Sequence, residues 1–417
     1  MDKNIIQKVI IENQELVEQV ELVERHFVFE SQGNYVFVGV RQAGKSYLLY
    51  QRMKQLIAKG HQVEELVYVN FDDERIANIK AEELDLILQA HQALSPTKPI
   101  LFLDEIQNID GWEHFARRLA NQKYQVYITG SNAKMLSRDI ATTLGGRYWV
   151  VNVYPFAFDE FLLAHGVKLK KHWQLSKQCA EVERLFHEYF YFGGFPELTS
   201  VIDKRAWITG IFQKIFFSDV MVRNSVRNED ALRMTIRKLA DSVKQPTAYN
   251  RINNLVASTG VKTNVQSVIH YVGYLKDSCL VFSLDNYMSK FVEKETSKKH
   301  YFIDNGLLNL FLVDAETSLL ENLCAIHLFK KYGDELYYYN KGIEVDFYIP
   351  SEKMAIQACY DMKDDTTVER ERGALVKLAS HMDVQRALII TRDCEDVIEE
   401  GGLKIEVLPI WKWLLME

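Results

Sequence analysis

One stretch constrains this chain more than any other: YVFVGVRQAGKSYLLYQ, at 35–51. An apolar run leads into Gly39-x4-Gly44-Lys45-Ser46, and a helical pattern follows. That order, strand then G-x4-G-K-[ST] then helix, lets the backbone fold round an anion with several N–H groups pointing inward. The helix that follows adds its N-terminal dipole. Lys45 is placed to neutralise β/γ-phosphate oxygens, and the Ser46 hydroxyl to ligate Mg²⁺. Gly39, Val40, Arg41, Gln42, Ala43, Gly44, Lys45, Ser46 and Tyr47 are therefore the expected ATP-binding residues. The plain alternative is a glycine turn before a helix, and the strand–helix context speaks against it.

A phosphate loop alone does not imply turnover; its partner strand bears on that. PILFLDEIQ (99–107) puts four apolar residues before two acids, a buried strand ending in Asp104 and Glu105. Asp104 can hold Mg²⁺ through its water shell, and Glu105 can orient or deprotonate the attacking water. An adjacent Asp-Glu pair favours hydrolysis over passive binding; two solvated acids at a strand end are the bland alternative. The next strand ends in ITGSNAKML, so Ser131 or Asn132 is a candidate to reach the γ-phosphate or the water. In LGGRYWV, Arg147 could act as an arginine finger toward a neighbouring subunit or be an exposed structural arginine. Asp72 and Asp73, in NFDDER, could stand near the magnesium or form a solvated turn.

At 417 residues the length suggests two to three domains, at about 150 residues each. A formal charge of −7 gives no global pull toward nucleic acid and leaves room for a local basic face. Five scattered cysteines (Cys179, Cys279, Cys324, Cys359, Cys394) without a C-x-x-C pair argue against zinc or disulfides and for a reducing compartment. The charged N-terminus has no signal-peptide pattern, and no apolar run approaches the 18 or more residues of a membrane span. A cytoplasmic location is expected. Between 34 and 153, five apolar strands (YVFVGV, LVYVNF, ILFLDE, QVYITG, RYWVVNVY) alternate with helical segments, which predicts a parallel sheet covered on both faces.

GVRQAGKS, NFDDER, ILFLDEIQ, TGSNAKML, LGGR and YPFAFDEF together resemble, in order, the motifs of prokaryotic AAA+ ATPases of the archaeal-ATPase-like group. FGGFPE, YFIDNGLL, ENLCAIHL, EVDFYI and LPIWKWLL are similar to that group's usual C-terminal companion, the domain of unknown function DUF4143, with a winged helix and a restriction-endonuclease-like core. The resemblance implies an α/β fold: a P-loop AAA+ parallel sheet with a helical lid, a winged helix-turn-helix and a nuclease-like α/β domain. The expected divisions are 1–30, an N-terminal helix and connector; 31–154, the ATPase core; 155–225, the lid; 226–300, the winged helix; and 301–417, the nuclease-like domain. ATP and Mg²⁺ are the implied ligands; AAA+ sites are usually completed by a neighbouring subunit, which makes a homo-oligomer possible and leaves an atypical monomer or dimer open.

The C-terminal half is less explicit. NVQSVIHYVGYLKDSCLVFSL (264–284) suits a recognition helix and first wing strand, but His270 and Lys276 give it a thin electrostatic footprint. The loop KFVEKETSKKH (290–300) is richer, with Lys290, Lys294, Lys298 and Lys299 against Glu293 and Glu295, and is the candidate DNA contact. A nuclease-like core wants a helix Glu, a strand Asp and an E-x-K strand; Glu321, Glu344 and Asp346 offer carboxylates. Where E-x-K would lie stand Gln357 and Cys359, with Lys363 nearby, so an inactive core used for binding is expected. The favoured function is an ATP-hydrolysing switch or motor coupled to a protein or DNA partner. The alternative is a nucleotide-gated DNA-binding regulator with little turnover.

Overall fold

The computed structural model describes residues 1–136, 138–290 and 297–416. The chain divides into two compact units, Met1–Tyr154 with Asp277–Cys279, and Pro155–Lys276 with Leu280–Glu417.

The first unit is built on a five-stranded sheet with order β2-β3-β4-β1-β5, every neighbouring pair parallel. Its strands are β1 (Tyr35–Val38), β2 (Leu66–Asn70), β3 (Ile100–Asp104), β4 (Val126–Gly130) and β5 (Trp149–Asn152). Helices α1 (Lys3–Gln19), α2 (Lys45–Ala58), α3 (Asp85–Leu94), α4 (Trp112–Asn121) and α5 (Arg138–Leu144) accompany them. The continuous apolar runs of β1, β3 and β4 are buried along their whole length, as a sheet covered on both faces requires. Rim strand β5 departs from that expectation: with only one neighbouring strand, it leaves Trp149 63% and Val150 49% exposed.

The N-terminal helix packs within this unit. Ile6, Val9, Ile10 and Val17 recur at helical spacing and are buried, each worth about 1.5–3 kcal/mol. Its polar side helps to fix it, because Gln14 Nε2 donates to the Leu66 carbonyl (3.0 Å) and Asn13 Nδ2 to that of Tyr68 (3.3 Å). These are carbonyls of the outermost strand, whose backbone groups would otherwise be left to solvent.

The second unit opens with α6 (Phe158–Ala164), α7 (Gln178–Phe192) and α8 (Lys204–Lys214). Then come α9 (Glu229–Asp241), β6 (Thr247–Ala248), α10 (Tyr249–Ala257), α11 (Val265–Asp277) and the antiparallel pair β7 (Val281–Asn286) and β8 (Ser297–Phe302). Next are α12 (Asn305–Asn309), α13 (Glu316–Tyr332), β9 (Tyr337–Asn340), β10 (Glu344–Ile349), β11 (Met354–Ala358), α14 (Asp365–Ala379), β12 (Arg386–Thr391), β13 (Asp396–Glu400), β14 (Leu403–Pro409) and α15 (Ile410–Trp413). All nine strands join one mixed sheet, β13-β14-β12-β11-β10-β9-β7-β8-β6. β6–β8 and β9–β14 thus share one sheet, and β8 runs across position 300, where the sequence suggested a division. Asn286 seals the seam: its amide donates to the Asn340 carbonyl (2.8 Å) and accepts from the Asn340 N–H (3.0 Å).

FGGFPE and YFIDNGLL, chemically vague as sequence, interlock in this unit. Asp304 is fully buried and accepts from the N–H groups of Gly194 (2.8 Å) and Gly306 (2.8 Å). A side chain at Gly193 would begin 2.0 Å from the Asp304 carboxylate, and one at Gly306 2.1 Å from the Phe192 carbonyl, so both must be glycine. Among the described residues no helix is long and apolar enough to cross a membrane.

Candidate functional site

The loop at 39–46 lies between β1 and α2. Gly39 is required by contact: a Cβ there would come within 2.0 Å of the Val153 carbonyl oxygen. Gly44 is required by conformation, with φ +91° at the N-cap of α2, and no side chain caps that helix start. The first-turn N–H groups, which have no carbonyl partner within a helix, thus also lack a side-chain one. Lys45 is buried, and its ammonium donates to the carbonyls of Gly39 (3.1 Å) and Val40 (3.0 Å). Tyr47 is exposed, with its ring edge-on to Tyr50.

The sheet brings Asp104 and Glu105 to this loop. Asp104, at the end of β3, is fully buried and accepts from Tyr68 Oη (2.5 Å) and from Thr129 Oγ1. Burial, and then the charge of Glu105, push its carboxyl above the ordinary range; the Ser46, Thr129 and Tyr68 hydroxyls pull the other way. Glu105 turns into the left-handed region, φ +54°, and its N–H bonds Thr129 Oγ1 (3.0 Å). Its Oε1 lies 3.7 Å from the Lys45 ammonium. Oε2 accepts from the Gln107 amide and from the Ser131 hydroxyl (3.0 Å). Burial alone would raise the Glu105 carboxyl, but Lys45, Gln107, Arg41 and Ser131 outweigh it and leave the group below its usual value.

The other expected site residues divide. Ser131 joins the cluster through Glu105. Asn132 is buried beside it, and its oxygen accepts from the Lys134 N–H (2.9 Å), a turn-closing bond. Arg147 is bonded to Asn121 Oδ1 (2.7 Å) and to the carbonyls of Leu144 and Gly145. Asp72 lies 3.9 Å from Arg41, whereas Asp73 is held by Arg75 (2.6 Å). Tyr68, Thr129 and Gln107 were missed. Gln107 had a signal, since it stands two residues beyond Glu105 in the quoted motif; Tyr68 and Thr129 depend on strand order and register.

In the second unit one expectation is overturned. Lys299, taken as part of a basic DNA-facing loop, is completely buried. Its ammonium lies 2.9 Å from Asp346, 3.1 Å from Glu321 and 3.2 Å from Glu344. The alternation of β8 explains it, because Lys299 and Tyr301 lie on one face of the strand, and Tyr301 also donates to Glu321 (2.8 Å). Desolvation lowers the Lys299 pKa, but the surrounding carboxylates more than reverse this and keep it an ammonium. Burial, then the charge of Asp346, push Glu321 up to about 7. Lys298 pairs with Asp285 (3.0 Å), and Glu293, Lys294 and Glu295 lie outside the described residues.

Gln357 accepts from the Asp346 N–H (2.8 Å) and donates to Glu371 (2.8 Å), and Cys359 donates to the Asp361 carbonyl. Lys363 is exposed beside Asp361 (3.1 Å) and does not join the cluster. Glu321, Glu344, Asp346 and Gln357 line a cavity of about 760 Å³.

Residues 31–162 match a family described as an AAA domain. Residues 183–318 match a domain of unknown function, DUF8612, which replaces the expected DUF4143. An uncharacterized protein of Methanocaldococcus jannaschii, MJ1544, is 32% identical over 434 residues, covering 100% of this chain and 96% of its own. An uncharacterized protein of Haemophilus influenzae is 30% identical over 392 residues, covering 91% and 94%. The structure of the Aeropyrum pernix Orc1 protein in complex with DNA matches 78% of this chain and 93% of its own, at 13% identity and a TM-score of 0.30, too low to carry any conclusion.

Proposed function

Because the chain belongs to the family of MJ1544 and its Haemophilus influenzae relative, and its residues 31–162 match an AAA domain, we propose that it is an ATP-hydrolysing switch or motor whose C-terminal region engages a protein or DNA partner. The observation that carries this reading is the convergence of Lys45 and Glu105 at the uncapped start of α2, with Asp104 buried beside them. The N–H groups of that helix start and the Lys45 ammonium receive the nucleotide's phosphates. Glu105, kept ionised by its four donors and cations, accepts the proton of the attacking water.

Ser46 and Asp104 present the hard oxygen donors a magnesium ion takes. Bound there, the ion would offset charge on the phosphates. Asn132 remains the candidate for contact beyond the γ-phosphate, and Arg147 for a finger offered to a neighbouring copy; Ser131, expected at the same place as Asn132, is bonded to Glu105 (3.0 Å). The divisions at 31–154, 155–225, 226–300 and 301–417 are part of the same reading.

The test is turnover and nucleotide binding by wild type, Lys45→Ala and Glu105→Gln, with and without duplex DNA. Lys45→Ala should lose binding; Glu105→Gln should bind and not turn over. Undiminished hydrolysis in Glu105→Gln would sink the role given to that residue. A DNA-binding regulator loses ground here, since Lys299 is buried and Lys298 is ion-paired.

A further inference from the structure

We infer that Gln107 is a positioning residue for Glu105, fixing one carboxylate oxygen so that the other stays turned toward Lys45 and the phosphate loop; this rests on the hydrolytic reading of the site. Three features of the geometry carry it. The first is a closed triangle: Gln107 Nε2 donates to Glu105 Oε2 and to Ser131 Oγ (3.3 Å), and Ser131 Oγ donates to the same Glu105 oxygen (3.0 Å). Both donors act on Oε2, so Oε1, 3.7 Å from the Lys45 ammonium, is the oxygen left for a water.

The second feature is the other end of the amide. Gln107 Oε1 is buried and has no hydrogen-bond partner. A glutamine kept for stability would pair both ends; an unmet buried acceptor is a cost tolerated where the donor end has another task. The third is space. A Cβ at Gly130 would stand 2.5 Å from Gln107 Oε1 and 1.9 Å from Met135 Sδ, so the end of β4 is glycine where the amide needs room. Ser131 thereby takes a different part from the phosphate contact its position suggested: it holds the base.

The experiment compares Gln107→Met, which keeps the volume and loses the N–H donors, with Ser131→Ala, the double variant and Glu105→Gln. Expected for Gln107→Met is a fall in kcat of about 10- to 100-fold, with the dissociation constant of a fluorescent ATP analogue within about 2-fold of wild type and an unchanged melting temperature. The double variant should lose less than the product of the two single losses, because both side chains hold one oxygen. Should Gln107→Met not fold, Gln107→Leu, also apolar and without donors, is expected to show the same loss of kcat. Wild-type kcat in a folded variant, or weakened binding at unchanged kcat, overturns the inference while hydrolysis itself stands. Equal turnover by wild type and Glu105→Gln overturns the hydrolytic reading, and the inference with it.

Discussion

Replacing Lys299 with methionine should be among the most damaging single changes available to the second unit. Methionine fills the volume of the lysine stem and removes only the ammonium. That ammonium faces three carboxylates at 2.9–3.2 Å from a position with no exposure at all. Glu344 is 45% exposed and can turn to water, so the cost falls on Glu321 and Asp346, which are 5% and 14% exposed. Removing one partner of a buried pair costs about 3–5 kcal/mol, or roughly 6–20 °C in melting temperature for a unit of this size.

The sign of the pH dependence follows from Glu321. Its folded pKa, about 7, is already above that of an unfolded glutamate, so its neutral form is the one the fold favours. Its stabilising contribution is complete below about pH 4 and disappears as the pH rises through 7. Without Lys299 the preference for the proton strengthens, and the deficit of Lys299→Met should shrink from pH 7.5 to pH 5.5. Thermal melts at the two pH values test this, with hydrogen exchange followed in β8, α13 and β10. The double variant Lys299→Met/Glu321→Gln should recover part of the loss, because it removes the orphaned charge. A Lys299→Met protein that melts within about 1 °C of wild type at pH 7.5, or a double variant whose loss is the sum of the two single losses, would refute the reasoning.

Asp304 titrates in the same sense. Burial raises its carboxyl to about 6, so wild type should lose up to about 3 kcal/mol relative to Asp304→Asn as the pH rises from 4 to 7, read as the difference between their melting temperatures. Gly39→Ala should abolish nucleotide binding in a fluorescence titration, since the new methyl group overlaps the Val153 carbonyl. Tyr68→Phe leaves a buried Asp104 oxygen without its donor and should cost about 1–3 kcal/mol in a denaturant melt.

The first unit was the more legible in sequence because its signals are local. A glycine with positive φ, a lysine one position later and two acids at the end of an apolar strand each follow from a few neighbouring letters. Even there, Tyr68 and Thr129 stayed hidden. Each belongs to an apolar strand, and its partnership with Asp104 depends on β2, β3 and β4 lying side by side. The second unit shows the limit more sharply. Lys299 sits among charged letters that suggest solvent, but its partners come from positions 321, 344 and 346.

The same distinction separates two kinds of motif in this chain. Residues 39–46, 104 and 105 form a motif whose polar atoms converge on an uncapped helix start, the arrangement of a site that meets a ligand. FGGFPE and YFIDNGLL bring polar atoms together too, but Asp304 meets the N–H groups of Gly194 and Gly306 and closes the packing on itself. Lys299 does the same for Glu321 and Asp346, placing a tethered cation among carboxylates that face the 760 Å³ cavity. A fixed internal ammonium cannot be exchanged as a free ion can. Glu321, Glu344 and Asp346 are therefore held in a structural ion cluster, and the chemistry proposed for this chain rests with the phosphate loop, Asp104 and Glu105.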